Sequence, residues 1–126
     1  MKKTKNSIVP EIRIETPFHE PEVREYFLTV PISKFRAGVC ASVPVKGKTA
    51  LFKVVGRMGA SIFRNLFGCE GIIRVEMHPY VVRVWKIDAY NWDYIEKFIL
   101  DSIRGAYLKF GYGEIESVRW HGTFCS

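Results

Sequence analysis

The segment from Ser61 to Ile99 constrains the fold more tightly than any other, because helix, stop, strand, turn, strand and helix follow one another with almost no spare residues. Met58, Ile62, Phe63, Leu66 and Phe67 recur at helical spacing and predict a helix over Met58 to Phe67 with one apolar stripe. Gly68 or Gly71 ends it, supplying the left-handed backbone that bulkier residues resist. Alternation from Ile72 to Met77 predicts a half-buried strand with Ile73, Val75 and Met77 on one face and Ile72, Arg74 and Glu76 on the other. His78, Pro79 and Tyr80 turn the chain, and Val81 to Lys86 returns with Val82, Val84 and Lys86 opposed to Val81, Arg83 and Trp85. Asn91 is then an N-cap for a helix marked by Trp92, Ile95, Ile99 and Ile103, with Phe98 and Tyr107 beside the stripe and an end near Gly105 or Tyr107.

Upstream, residues 1–24 read as a basic, proline-containing N-terminal arm, laid along the domain or disordered. Glu11 to Glu15 alternates like a short strand, but Pro10, Pro17 and Pro21 bracket it. Tyr26 to Val30 reads as a strand stopped by Pro31, and Lys34 to Val45 as an extended edge-type segment that turns at Lys46-Gly47-Lys48. Thr49 to Val55 reads as a further strand broken by Gly56. After the second helix, Gly111-Tyr-Gly113 is a loop and Ile115 to Trp120 a last strand.

Together these elements predict one α+β domain over residues 25–126. Its expected core is a small mixed or antiparallel sheet with two helices packed on one face, in the order ββ(β)αββα. A ferredoxin-like split βαβ sheet is the alternative, since the order from Thr49 onward is also strand, helix, strand, strand, helix, strand. A chain of 126 residues has no room for a second domain of ordinary size. No run of 18 apolar residues occurs, so no membrane span is expected.

The block Leu66-Phe67, Glu70-Gly71-Ile72, Val75, Val81 to Val84, Lys86 and Trp92 resembles the N-terminal domain of Nfu-type iron–sulfur scaffold proteins. In that family a helix ends in Leu-Phe and is followed by an Ile-Glu-Gly-Val type turn and a strand. A second strand then ends in Val-Thr-Lys, and a Trp opens the last helix. Ser33-Lys34-Phe35 stands where the family has a Leu-Lys-Phe strand, and the likeness spans roughly residues 26–107. Thr29-Val-Pro-Ile-Ser33 replaces the family's Thr-Pro-Asn-Pro signature. The cluster-carrying Cys-x-x-Cys of Nfu proteins belongs to their other domain, and this chain has no such pair. The resemblance therefore implies a stand-alone interaction module, accessory to iron–sulfur assembly through protein contacts and holding no cofactor itself.

Charge is unevenly spread. Between Glu25 and Glu70 there is no carboxylate, while Lys34, Arg36, Lys46, Lys48, Lys53, Arg57 and Arg64 fall in that window and carry essentially all of the net +6. Such a window attracts phosphate or an acidic protein surface and gives salt-dependent binding, so these seven are the candidate contact residues. Phe35, Phe52 and Phe63, interleaved with them, read as core and not as base-stacking platforms.

Chemistry-bearing patterns are sparse. Asp88, Asp93, Glu96 and Asp101 read as the solvated or dipole-facing residues of the second helix. No serine lies in a nucleophile elbow and no glycine loop matches a phosphate-binding pattern. His121 and Cys125 are too few for a closed zinc site, and Cys40 and Cys69 read as small buried hydrophobes. No catalytic, metal or cofactor residues are expected.

Three widely separated cysteines argue against a disulfide framework and for an intracellular reducing compartment, cytoplasmic or the mitochondrial matrix. Residues 1–10 lack the apolar core of a secretory signal and the arginines of a transit peptide. The expectation is a non-enzymatic module with protein partners in a larger assembly. The alternative is a basic structural subunit of a large ribonucleoprotein, such as an organellar ribosome, with RNA phosphates on the 26–69 surface.

Overall fold

Alternating apolar residues place β4, Ile72–Met77, beside β5, Val81–Lys86, in an antiparallel hairpin. Val75 faces Val84 and Met77 faces Val82 across it. The turn closes as the His78 amide donates to the Val81 carbonyl at 2.8 Å. The computed structural model describes residues 9–17, 20–33, 39–42 and 48–120, with backbone alone at 39–42 and 48–52.

Strict alternation puts Ile73 with Val75 and Met77, but the register slips between Ile72 and Arg74. A bulge inserts one residue and resets which face the next side chain takes. Ile72 is therefore buried at 4% exposure and Ile73 turned out at 41%. Just before it, Gly71 has φ 102°, and an added Cβ would lie 2.7 Å from the Tyr90 ring. Only glycine fits there, and its carbonyl accepts the Ile87 amide at 2.7 Å.

On the other side of β5 lies β2, Val23–Leu28, with Tyr26 opposite Val82. Next to β2 lies β1, Glu11–Glu15, with Ile12 opposite Leu28 and Ile14 opposite Tyr26. The expectation of an arm over residues 1–24 is corrected here. Ile12 and Ile14 are each 1% exposed, and β1 is flanked on both sides. The prolines that suggested an arm lie outside the strand, where a missing amide removes no ladder bond. Residues 1–8 lie outside the described residues.

At one edge β6, Ser117–Trp120, runs parallel to β1; at the other β3, Val39–Ser42, is antiparallel to β4. The sheet order is β3-β4-β5-β2-β1-β6. Of the expected extended segment from Lys34 to Val45, Val39–Ser42 is strand and the rest lies outside the described residues, as does the turn at Lys46-Gly47.

Helix α1 spans Lys48–Phe67, so the strand expected over Thr49–Val55 is helix instead. Strand propensity in Thr49, Phe52, Val54 and Val55 is a weak prior, and packing overrides it. Val55 is buried in the same core as Ile62, Phe63 and Leu66. Gly56 does interrupt the chain, with φ 91° and ψ 177°, but between two helical segments. The split βαβ alternative, which needs a strand at Thr49–Val55, goes with it.

Helix α2, Trp92–Lys109, begins where the Asn91 side chain accepts the Asp93 amide at 2.7 Å, as an N-cap should. Ile95, Ile99, Ile103 and Tyr107 are buried; Trp92 and Phe98 are half-buried against them. Exposed Gly105 does not end the helix, which runs past it to Lys109. Both helices share one core with Ile12, Ile14, Tyr26, Leu28, Val82 and Val84. The fold is a small α+β arrangement, a mixed sheet with two helices packed against it.

Candidate docking surface

Helix α1 carries no acidic residue along its whole length. Lys53, Arg57 and Arg64 are exposed on it, in two segments joined at Gly56. Among the described residues, neither Lys53 nor Arg57 has a carboxylate partner. Of the other candidate contacts, Lys48 is described only as backbone at the start of α1, and Lys34, Arg36 and Lys46 lie outside the described residues. The structure thus brings four of the seven onto one element, three of them with described side chains.

Arg57 also stands at a cleft of about 340 Å³. Its walls are Pro31, Ile32 and Ser33, then Val55, Gly56, Arg57 and Met58 at the helix interruption, then Phe110 and Tyr112 past the end of α2. Hydrogen bonds fix the first and last of these three segments. The Tyr107 hydroxyl donates to the Val30 carbonyl at 2.7 Å, and the Ile32 amide to the Pro79 carbonyl at 2.8 Å. The Tyr112 amide donates to the Tyr107 carbonyl at 2.8 Å, and the two rings meet edge to face. Burial pushes the Tyr107 phenol well above its ordinary range, so it stays a donor. The Arg57 guanidinium lies 5.8 Å from the centre of the Phe110 ring.

This cleft is not visible in sequence, because its walls come from three separated stretches. Gly56 and Gly111-Tyr-Gly113 read only as a break and a loop. The usable signals are a glycine inside an acid-free helix and an aromatic pair straddling Gly111.

The sheet face away from the helices has a different electrostatic character. Arg83 binds Glu25 at 2.6 Å and Glu76 at 2.9 Å, and Glu76 meets the His78 ring at 2.6 Å. Burial opposes ionisation of Glu76, but the His78 ring and the Arg83 guanidinium outweigh it and hold the carboxyl below its ordinary range. Burial likewise opposes the charge on Arg83, and the two glutamates overcome it. Arg74 stacks on Trp85 at 4.7 Å, while Arg13 stacks on Phe27 at 4.6 Å and binds Glu15 at 2.9 Å.

On the helix side, Arg24 lies between Trp92 and Trp120, 4.7 and 4.6 Å from their ring centres, and binds Glu96 at 2.6 Å. Tyr26 donates to the same Glu96 oxygen at 2.9 Å. The Arg24 Nε is buried without a hydrogen-bond partner, which the flanking rings account for. Glu96 is thus a structural anchor and not the solvated helix residue that sequence suggests. Asp101 binds Lys97 and Arg104 on the exposed side of α2.

Cys69 is buried in the core, as expected, and burial pushes its thiol up. Among the described residues no group of three or more His, Cys, Asp or Glu side chains is placed to hold a metal ion. No described helix is long and apolar enough to cross a membrane. Cys40 is described only as backbone in β3, and His121 and Cys125 lie outside the described residues.

No protein-family model matches the sequence, and no curated protein matches it. In structure the chain is similar to protein SAV1430 from Staphylococcus aureus, with a TM-score of 0.51 at 13% identity, over 75% of this chain and 98% of that one. That likeness establishes the fold alone.

Proposed function

We propose that this protein is a non-enzymatic binding module that docks an acidic protein partner of a larger assembly through the outer side of α1. The observation that carries the reading is the pair Lys53 and Arg57, exposed and without carboxylate partners among the described residues, on a helix that has no acid. Arg83 in the sheet-face ladder is already engaged by Glu25 and Glu76, whereas Lys53 and Arg57 stay open to an incoming anion among the described residues. The resemblance of Leu66 to Trp92 to the Nfu-type N-terminal domain supports iron–sulfur assembly proteins as the partners to test first.

Fluorescence anisotropy with polyglutamate and with a structured RNA hairpin, across a salt series, tests the reading. Polyglutamate should bind at low salt, weaken as salt rises, and be lost in the double variant Lys53→Glu, Arg57→Glu. Absence of binding to either probe at low salt overturns the module reading. RNA bound more tightly than polyglutamate, with the same dependence on Lys53 and Arg57, would replace the protein partner by a ribonucleoprotein. Failure of every iron–sulfur assembly protein to co-purify with the chain removes that partner class.

A further inference from the structure

We infer that the cleft at the interruption of α1 receives one apolar side chain of the docking partner, with a carboxylate of the same segment lying on Arg57. The inference rests on the docking reading above and adds the recognition element that charge alone lacks. A cleft of about 340 Å³ stands at the small end of the ~300–1,000 Å³ range of ligand pockets, a size suited to one anchoring side chain. Its walls at Pro31, Ile32, Val55, Met58 and Phe110 are apolar, and Arg57 is the one charged residue among the described ones that line it. An apolar wall with a single cation at the edge is complementary to an apolar residue beside an acid. A phosphate chain would satisfy only the cation.

Several constraints make the cleft a built feature. Gly56, at φ 91°, lets the helix break there, so the first turn of the second segment and the last turn of the first both border the same space. The Tyr107 hydroxyl on Val30 and the Tyr112 amide on Tyr107 fix the opposite walls before any partner arrives. Preorganisation of this kind lowers the ordering cost of binding. Anchors seated in fixed pockets carry most of the energy of an interface, while rim charges set approach and salt dependence. Lys53 and Arg57 continue from the cleft along α1 and would steer the acidic segment onto it.

The test is an NMR titration of the 15N-labelled full chain with four probes. These are an acidic pentapeptide with a central phenylalanine, the same peptide with alanine at the centre, a lysine-flanked phenylalanine peptide, and a short RNA. The acidic phenylalanine peptide should shift the amides of Ile32, Gly56, Arg57 and Tyr112. Its affinity should be about tenfold or more above that of the alanine peptide. Arg57→Glu should remove the preference for the acidic over the lysine-flanked phenylalanine peptide while the spectrum elsewhere keeps the native pattern. Tyr112→Ala, on an exposed loop position, should weaken the phenylalanine peptide and leave the alanine peptide unchanged.

Equal affinity for the phenylalanine and alanine peptides overturns the anchor while leaving charge-driven docking intact. Shifts confined to Lys53 and Arg57, without Ile32 or Tyr112, do the same. Stronger response of the cleft amides to RNA than to the acidic peptide overturns the choice of partner. Binding of the lysine-flanked peptide as tightly as the acidic one overturns the role of Arg57.

Discussion

The outer side of α1 and the sheet face opposite the helices both carry arginines beside aromatic rings, yet they stand in opposite electrostatic states. In the ladder, Arg83 bridges Glu25 and Glu76 across three strands, and every charge in that set has a partner of the other sign. On α1, Lys53 and Arg57 stand in a stretch from which acids are missing altogether. The comparison teaches that counting cations in a sequence says little about binding. What matters is whether the fold supplies the counter-charge, and cross-strand neighbours supply it to Arg83 where no described residue does so for Arg57.

The largest way to break this contrast is Arg83→Ala, which leaves Glu25 and Glu76 facing one another on neighbouring sides of β5. A loss of about 2 kcal/mol in urea unfolding is expected, below the full cost for deeply buried pairs because these groups are part-exposed. Polyglutamate binding should be unchanged; a variant that loses binding with no loss of stability would invert the two roles. Next comes Tyr107→Phe, which removes the donor to Val30 and should cost about 1 kcal/mol. Because it loosens the cleft wall and not the cations, it should weaken the phenylalanine peptide while sparing polyglutamate.

Acid separates the two regions further. The folded Glu76 carboxyl sits below its ordinary value, so the unfolded chain binds more protons over the interval between the two. Its contribution is fully present above the ordinary glutamate pKa and is lost as pH falls through the folded one. Thermal melts from pH 7 downward should show this slope, and Arg83→Ala should flatten it. The smallest stability effect belongs to Lys53→Glu with Arg57→Glu, within about 0.5 kcal/mol of the parent because both are surface positions. A large destabilisation from that pair would mean the two cations hold structure and not a partner.

How far sequence carried each region follows from the range of the signals. The hairpin and α2 were legible because Val75, Val84, Ile95 and Ile99 repeat with the period of their own element. Simple alternation puts Ile72 and Ile73 on the wrong faces because a bulge depends on how two strands register. Thr49 to Val55 read as strand because local propensity cannot see the core that Val55 joins. Glu11 to Glu15 reads as part of an arm in sequence because its partners, Leu28 and Ser117 among them, are remote. The acid-free window was plain from composition, whereas the cleft beside Arg57 needed residues near 32, 56 and 110 brought together.

The parallel pairing of β1 with β6 has a bearing on how the chain is made. Glu11 sits opposite Ser117, more than a hundred residues later, so during synthesis β1 emerges long before its outer neighbour exists. Contacts of that span are slow to form, since the intervening chain must first be ordered. Until residues 117–120 have left the ribosome, one side of β1 remains an open template for any extended segment nearby. The nascent protein is therefore open to mispairing along β1 until β6 arrives, and Trp120, closing over Arg24, is the contact that ends the interval.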